Sequence, residues 1–80
     1  MEVDPYAEQR YRDGLDYAQK ATLYDQQGQY THALTFYSEA VEALVQACQM
    51  APLFSPIMPR VDDYGKRAEE LRLYLSSGGE

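Results

Sequence analysis

The stretch that decides the fold is residues 21–41, ATLYDQQGQYTHALTFYSEAV. Gly28 divides it, and only glycine takes the left-handed conformation that ends a helix without strain. A run of apolar residues begins directly after the break, at Tyr30, Leu34, Tyr37, Val41, Leu44 and Cys48. This spacing is close to the 3.6-residue period of an α-helix. The stretch therefore predicts two helices joined by a short turn.

The second helix carries a stripe of small residues beside its apolar run, at Ala33, Ala40, Ala43 and Ala47. Small side chains allow a neighbouring helix to approach closely, so we expect helix 2 to pack antiparallel against helix 1. Helix 1 begins where Asp4 can cap it and Pro5 fits the first position. Glu8–Arg12 and Asp16–Lys20 are favourable i,i+4 pairs on its outer face. Gly14 weakens its middle by up to about 1 kcal/mol.

A third helix follows the proline-containing segment 51–56, which no helix crosses unkinked. We expect this segment to be a loop and helix 3 to start between residues 56 and 59. Its seam steps by three and four, at Val61, Tyr64, Ala68, Leu71 and Leu75. The pairs Asp62–Lys66 and Asp63–Arg67 are expected on the exposed side. The sequence thus predicts an all-α, antiparallel three-helix bundle with helices at about 5–27, 29–50 and 57–76. Residues 1–4 form a lead-in, 5–76 the bundle and 77–80 the start of a linker.

Composition limits the classes of partner. The chain has 80 residues, enough for one domain, and a formal charge of −6. This charge repels nucleic acid and anionic lipid headgroups and favours partners that present Arg or Lys. No apolar run approaches the roughly 20 residues that span a bilayer. From the charge and the short apolar runs we expect no nucleic-acid binding and no insertion into membranes. One cysteine and no secretion signal are consistent with a cytoplasmic protein. We expect the isolated domain to be a monomer.

Reactive groups are scarce. His32 is the single histidine and is interpreted as a surface residue, whereas Cys48 lies on the apolar run of helix 2 and is interpreted as a buried thiol. No Cys/His pair has zinc-ligand spacing, and no Ser/His/Asp set offers distinct catalytic roles. We expect no catalytic site, cofactor or metal in this domain. A binding surface between helices is the remaining prediction.

The stretch 21–41, together with 64–71 (YGKRAEEL) of helix 3, resembles the MIT (microtubule-interacting and trafficking) domain family. That family's pattern reads Ala…Asp…Gly/Asn-x-Tyr-x-x-Ala-Leu-x-x-Tyr-x-x-Ala-Val, then Tyr-x-x-Arg-Ala-Glu-x-Leu. The similarity covers about residues 14 to 75. The first half also fits a tetratricopeptide-like fragment that mediates oligomerisation or repeat packing. The Arg-Ala-Glu-x-Leu helix favours MIT, and a lone tetratricopeptide unit would leave an apolar face exposed.

The resemblance implies a non-catalytic adaptor inside larger proteins, such as ATPases or proteases of endosomal traffic, that binds C-terminal tails of ESCRT-III subunits. One implied mode lays an amphipathic helix between helices 2 and 3, with an arginine paired to Glu69. The residues implied for this groove are Glu42, Val45, Met58, Asp62, Gly65, Glu69 and Leu73. Another lays an extended, proline-containing strand between helices 1 and 3, at Ala18, Arg67 and Tyr74. Gly65 stands where a family member has leucine, which leaves room for a bulkier ligand side chain or a degenerate groove. The choice between grooves stays open.

Overall fold

The computed structural model describes residues 3–79, which contain three α-helices and one 3₁₀ helix. Helix α1 spans Pro5–Gln26, α2 spans Tyr30–Met50 and α3 spans Met58–Ser76, with a 3₁₀ helix at Pro52–Ile57. The three α-helices begin and end within one residue of the predicted bounds. Residues 1, 2 and 80, the outer parts of the predicted lead-in and linker, lie outside the described residues, and the domain bounds remain a prediction.

The helix ends follow the local chemistry of the sequence. The Asp4 carboxylate accepts a hydrogen bond from the Tyr6 N–H at 2.9 Å, and Pro5 occupies the first helical position of α1. Gly28 has a φ of 75°, in the left-handed region that favours glycine. The predicted ion pairs of α1 are present: Arg12 contacts Glu8, and Lys20 lies 3.2 Å from Asp16. Capping and turn residues therefore act as the sequence indicates.

Helices α1 and α2 form a close antiparallel pair. The four small residues of the α2 stripe, Ala33, Ala40, Ala43 and Ala47, are fully buried. Antiparallel packing is confirmed by contacts such as the Arg10–Gln46 hydrogen bond at 2.8 Å. Gly14 is buried against α2, where a Cβ would come within 2.5 Å of Leu44 Cγ. Gly14 is thus a site of close helix approach, which the spacing of the local sequence does not indicate.

Helix α3 completes the bundle by packing mainly against α2, while its backbone stays farther from α1. Leu71 joins the core cluster at the turn end with Ala33 and Tyr37, and Val61 joins a second cluster with Leu44. The Tyr30 and Tyr74 rings meet at 5.5 Å, so α3 runs antiparallel to α2. The predicted all-α, antiparallel three-helix bundle is confirmed. Because α1 and α3 approach mainly through side chains, a groove runs between them.

Three local predictions were wrong. The segment expected to be a loop is mostly the 3₁₀ helix, whose Phe54 stacks on Tyr11 with ring centroids 4.3 Å apart. The predicted Asp63–Arg67 pair does not form, because Arg67 binds Asp25 and Glu70 instead. Asp62 and Lys66 likewise form no ion pair among residues 3–79. None of the described helices is long and apolar enough to cross a membrane.

Candidate functional site

One hydrogen-bonded triad links all three helices at the turn end of the bundle. Asp25 lies in the last turn of α1, and Arg67 of α3 donates two hydrogen bonds of 2.7 Å to its carboxylate, from Nε and Nη2. The buried Tyr37 of α2 donates its hydroxyl to the same carboxylate at 2.9 Å. A bidentate guanidinium–carboxylate pair is among the stronger polar contacts in proteins. The triad holds α3 against the α1–α2 hairpin.

The electrostatics of the triad agree with this geometry. Hydrogen bonds from Arg67 hold the pKa of Asp25 below its ordinary value, and those bonds also raise the pKa of Arg67. Burial, together with the hydrogen bond to Asp25, raises the pKa of Tyr37 to about 12. Asp25 and Arg67 are therefore charged and Tyr37 is neutral at physiological pH. This arrangement is structural, since each group already has its partner.

The groove between α1 and α3 contains a cavity of about 400 Å³. Ala18, predicted for this groove, lines the cavity and is buried at the same point. The remaining lining residues are Leu15, Gln19 and Thr22 of α1 and Arg60 and Tyr64 of α3. The Arg60 guanidinium donates to the Tyr64 hydroxyl at 3.0 Å. Its lining combines apolar Leu15 and Ala18 with several polar side chains, a mixture that ligand pockets commonly show.

A second cavity, of about 250 Å³, lies farther along α3, where it is lined by residues of α2 and α3. Arg67 and Tyr74, the other two residues predicted for the α1/α3 groove, line it together with Tyr30, Glu70 and Leu71. The Arg67 guanidinium lies 6.0 Å from the Tyr30 ring centroid. Ala18 therefore lines the first cavity, whereas Arg67 and Tyr74 line the second, which has no α1 residue in its lining. Arg67 is also bound to Asp25 of α1.

The groove between α2 and α3 has a different character. Val45 and Met58 are half-buried and pack against the core cluster around Leu44, Ile57 and Val61. A Cβ added to Gly65 would meet nothing within 4 Å, so the wall is open there. Leu73 is exposed. The groove is therefore shallow at Gly65, and apolar surface lies near its two ends.

Three carboxylates predicted for the α2/α3 groove differ in their partners. Glu69 contacts Arg72 through both oxygens, so its charge is already compensated. Glu42 and Asp62 form no ion pair among residues 3–79. Both side chains are exposed, so their carboxylates are accessible to a cation.

The cysteine and the histidine of this chain both contact neighbouring residues of the bundle. Cys48 is half-buried, its thiol donates to the Phe54 carbonyl at 3.5 Å, and burial raises its pKa. His32 is exposed and lies 5.1 Å from the Tyr24 ring. Within residues 3–79, no group of three or more His, Cys, Asp or Glu side chains is arranged to hold a metal ion.

Sequence reasoning missed several residues of the α1/α3 side. Leu15 and Thr22 precede Asp25 on one face of α1, and Arg60 and Tyr64 precede Arg67 on one face of α3. The spacing of three and four residues could have assigned each of these sets to one face of its helix. The spacing could not show that the two faces lie opposite each other across a groove.

Open, partly apolar grooves between helices are surfaces to which peptides or partner helices can bind. A model of the MIT (microtubule interacting and transport) domain family matches residues 11–72, and the chain belongs to this non-catalytic interaction family. That match decides between MIT and the tetratricopeptide-like alternative. The chain is also similar to calpain-7 of Mus musculus, with 29% identity over 66 residues. The aligned part is 82% of this chain and 8% of calpain-7. No solved structure matches the chain significantly.

Proposed function

We propose that this domain binds C-terminal tail peptides of ESCRT-III subunits and recruits a larger cytoplasmic protein to endosomal or other membrane-remodelling assemblies. The observation that carries the proposal is the α1/α3 groove, whose 400 Å³ cavity has Ala18 in its lining. A cavity of this size accepts one or two apolar side chains of an extended peptide. Membership of the MIT family supports a peptide or protein ligand rather than a small molecule.

The charge of the domain favours the same class of ligand. A formal charge of −6 attracts tail segments that carry Lys or Arg and accelerates their association. One groove buries too little surface for tight binding, so affinities in the micromolar range are expected. Polymeric ESCRT-III would raise the effective affinity through multivalency.

The α2/α3 groove is a second candidate site. The open space at Gly65 would admit a bulky apolar side chain of an amphipathic helix, with Val45 and Met58 beneath its next turn. Glu42 and Asp62, both exposed, would receive a ligand arginine. Glu69 would have to release Arg72 first. This mode therefore predicts a larger loss of affinity from Glu42→Gln or Asp62→Asn than from Glu69→Gln.

Titration of the isotope-labelled domain with ESCRT-III tail peptides, followed by amide chemical shifts, tests the proposal and the groove together. Binding between α1 and α3 should shift Ala18, Thr22 and Tyr64. Binding between α2 and α3 should shift Val45 and Gly65. The proposal fails if no tail peptide produces saturable shifts at millimolar concentration.

A further inference from the structure

Helix α3 ends in a hydrogen-bonded turn, where the local sequence indicates the start of a linker. The N–H of Gly79 donates to the Tyr74 carbonyl at 3.0 Å, and the N–H of Gly78 donates to the Leu75 carbonyl at 3.2 Å. These two bonds define a Schellman motif, which places the residue after the C-cap in the left-handed region. Gly78 takes that position with a φ of 91°. Residues 77–79 therefore belong to the folded end of the helix.

The ring of Tyr74 packs against Gly79, in the space that a side chain at position 79 would need. A Cβ added to Gly79 would lie 2.5 Å from Cδ2 and Cζ of the ring, a distance that real Cβ atoms essentially never show. Among the described glycines, those with a positive φ are Gly28 and Gly78. The backbone conformation of residue 79 therefore does not require glycine, and the close approach of the Tyr74 ring does.

The same tyrosine forms one wall of the smaller cavity. The rings of Tyr74 and Tyr30 meet edge to face with centroids 5.5 Å apart, and both line the cavity of about 250 Å³ between α2 and α3. Tyr30 in turn has the Arg67 guanidinium 6.0 Å from its ring centroid. Tyr74 is 47% exposed and belongs to neither core cluster. Its contacts with Tyr30 and Gly79 therefore determine where the ring lies.

We infer that the turn at residues 77–79 is a conformational latch for the smaller cavity. In the closed latch, the Gly79 backbone holds the Tyr74 ring against Tyr30 and keeps the wall of the cavity in place. When the turn opens, the ring loses one of its two supports and the wall moves with it. Opening of the latch therefore weakens any ligand of this cavity, and such a ligand keeps the latch closed by the same free energy.

The Gly79→Ala variant tests the contact between the turn and the ring. Its methyl group overlaps the ring, and an exposed tyrosine side chain turns away at a lower cost than the helix unfolds. Wild type should show a nuclear Overhauser effect between the Tyr30 and Tyr74 rings, which should be lost in the variant. Gly65→Ala is the matched control, because it adds the same methyl group to α3 in open space. It should keep the signal between the two rings.

Amide hydrogen exchange measures the opening of the turn itself. Gly78→Ala strains the left-handed backbone without adding bulk against Tyr74, so the residue 79 N–H should exchange about fivefold faster. The signal between the Tyr30 and Tyr74 rings should weaken in this variant as well. Gly79→Ala should also speed this exchange in wild type but not in a Tyr74→Ala background, where no ring opposes the methyl group. Gly78→Ala should speed it in both backgrounds.

Either of two results would overturn the latch. One is a signal between the Tyr30 and Tyr74 rings that persists in both Gly79→Ala and Gly78→Ala. The other is a Gly79→Ala substitution that speeds exchange equally with and without the Tyr74 ring. These measurements use the domain without a ligand, so their outcome is independent of whether ESCRT-III tails bind to it.

Discussion

The Asp25→Asn variant tests whether the triad holds the bundle together. Asparagine has the same shape but cannot accept two hydrogen bonds from Arg67 and one from Tyr37, since its NH₂ group is a donor. In the variant, one N–H donor of Arg67 therefore faces the NH₂ donor of the introduced asparagine or loses its acceptor. Net contributions of hydrogen bonds to charged groups are about 1.5–3 kcal/mol. The Asp25 and Arg67 side chains are 17% and 38% exposed, so solvent reduces the effect to about 2 kcal/mol.

A loss of this size is large for so small a domain. At about 0.05–0.15 kcal/mol per residue, the whole free energy of unfolding is about 4–12 kcal/mol. A loss of about 2 kcal/mol corresponds to a fall in Tm of roughly 8–16 °C. Urea unfolding followed by circular dichroism measures it at neutral pH. Asp16→Asn is the control: Asp16 pairs with Lys20 on the surface, and its loss should cost less than about 0.5 kcal/mol.

The pH dependence of the same variant provides a second check. The pKa of Asp25 is lowered by Arg67 from its ordinary value of 3.8. The stabilisation is therefore complete above pH 3.8 and is lost as the pH falls through the lower pKa of the folded state. The stability difference between wild type and Asp25→Asn should shrink in strong acid. A variant as stable as wild type at neutral pH, or a difference unchanged by acid, would refute the role of the triad.

Three further predictions concern packing, tyrosine ionisation and assembly. Gly14→Ala should destabilise the domain by about 1–3 kcal/mol through overpacking against Leu44, whereas Gly65→Ala, with open space around it, should stabilise by about 0.5–1 kcal/mol. Urea unfolding measures whether each variant raises or lowers the free energy of unfolding. Equal effects of the two substitutions would contradict the close packing of Gly14 against Leu44. Tyr37 should ionise late, near its pKa of about 12, with stability lost as the pH rises from 10 towards that value. A spectrophotometric titration in the ultraviolet should show one tyrosine that ionises at a higher pH than the tyrosines with ordinary pKa values. This high-pH step should be missing from the titration of Tyr37→Phe. Sedimentation should find a monomer, and a concentration-dependent dimer would contradict that prediction.

Much of this protein could be predicted from local sequence. The caps at Asp4 and Pro5, the break at Gly28 and the apolar periods define three helices, because these signals act between residues within one or two helical turns. The alanine stripe of α2 predicts close, antiparallel packing with α1. The Gly-x-Tyr and Arg-Ala-Glu patterns identify the family, and Ala18, Arg67 and Tyr74, which that resemblance singles out, each line one of the two cavities.

Contacts between distant residues were decided only by the tertiary structure. Sequence spacing paired Arg67 with Asp63, four residues away, but the fold offers it Asp25, 42 positions distant, in a less solvated site. Charge-assisted hydrogen bonds are stronger where water is displaced, so the partly buried partner prevails over the exposed one. The local sequence likewise indicates that Gly14 weakens α1, whereas in the fold Gly14 allows Leu44 of α2 to pack closely against α1. Local spacing determines which helices form; the packing of α3 on the hairpin determines which side chains meet and where cavities remain.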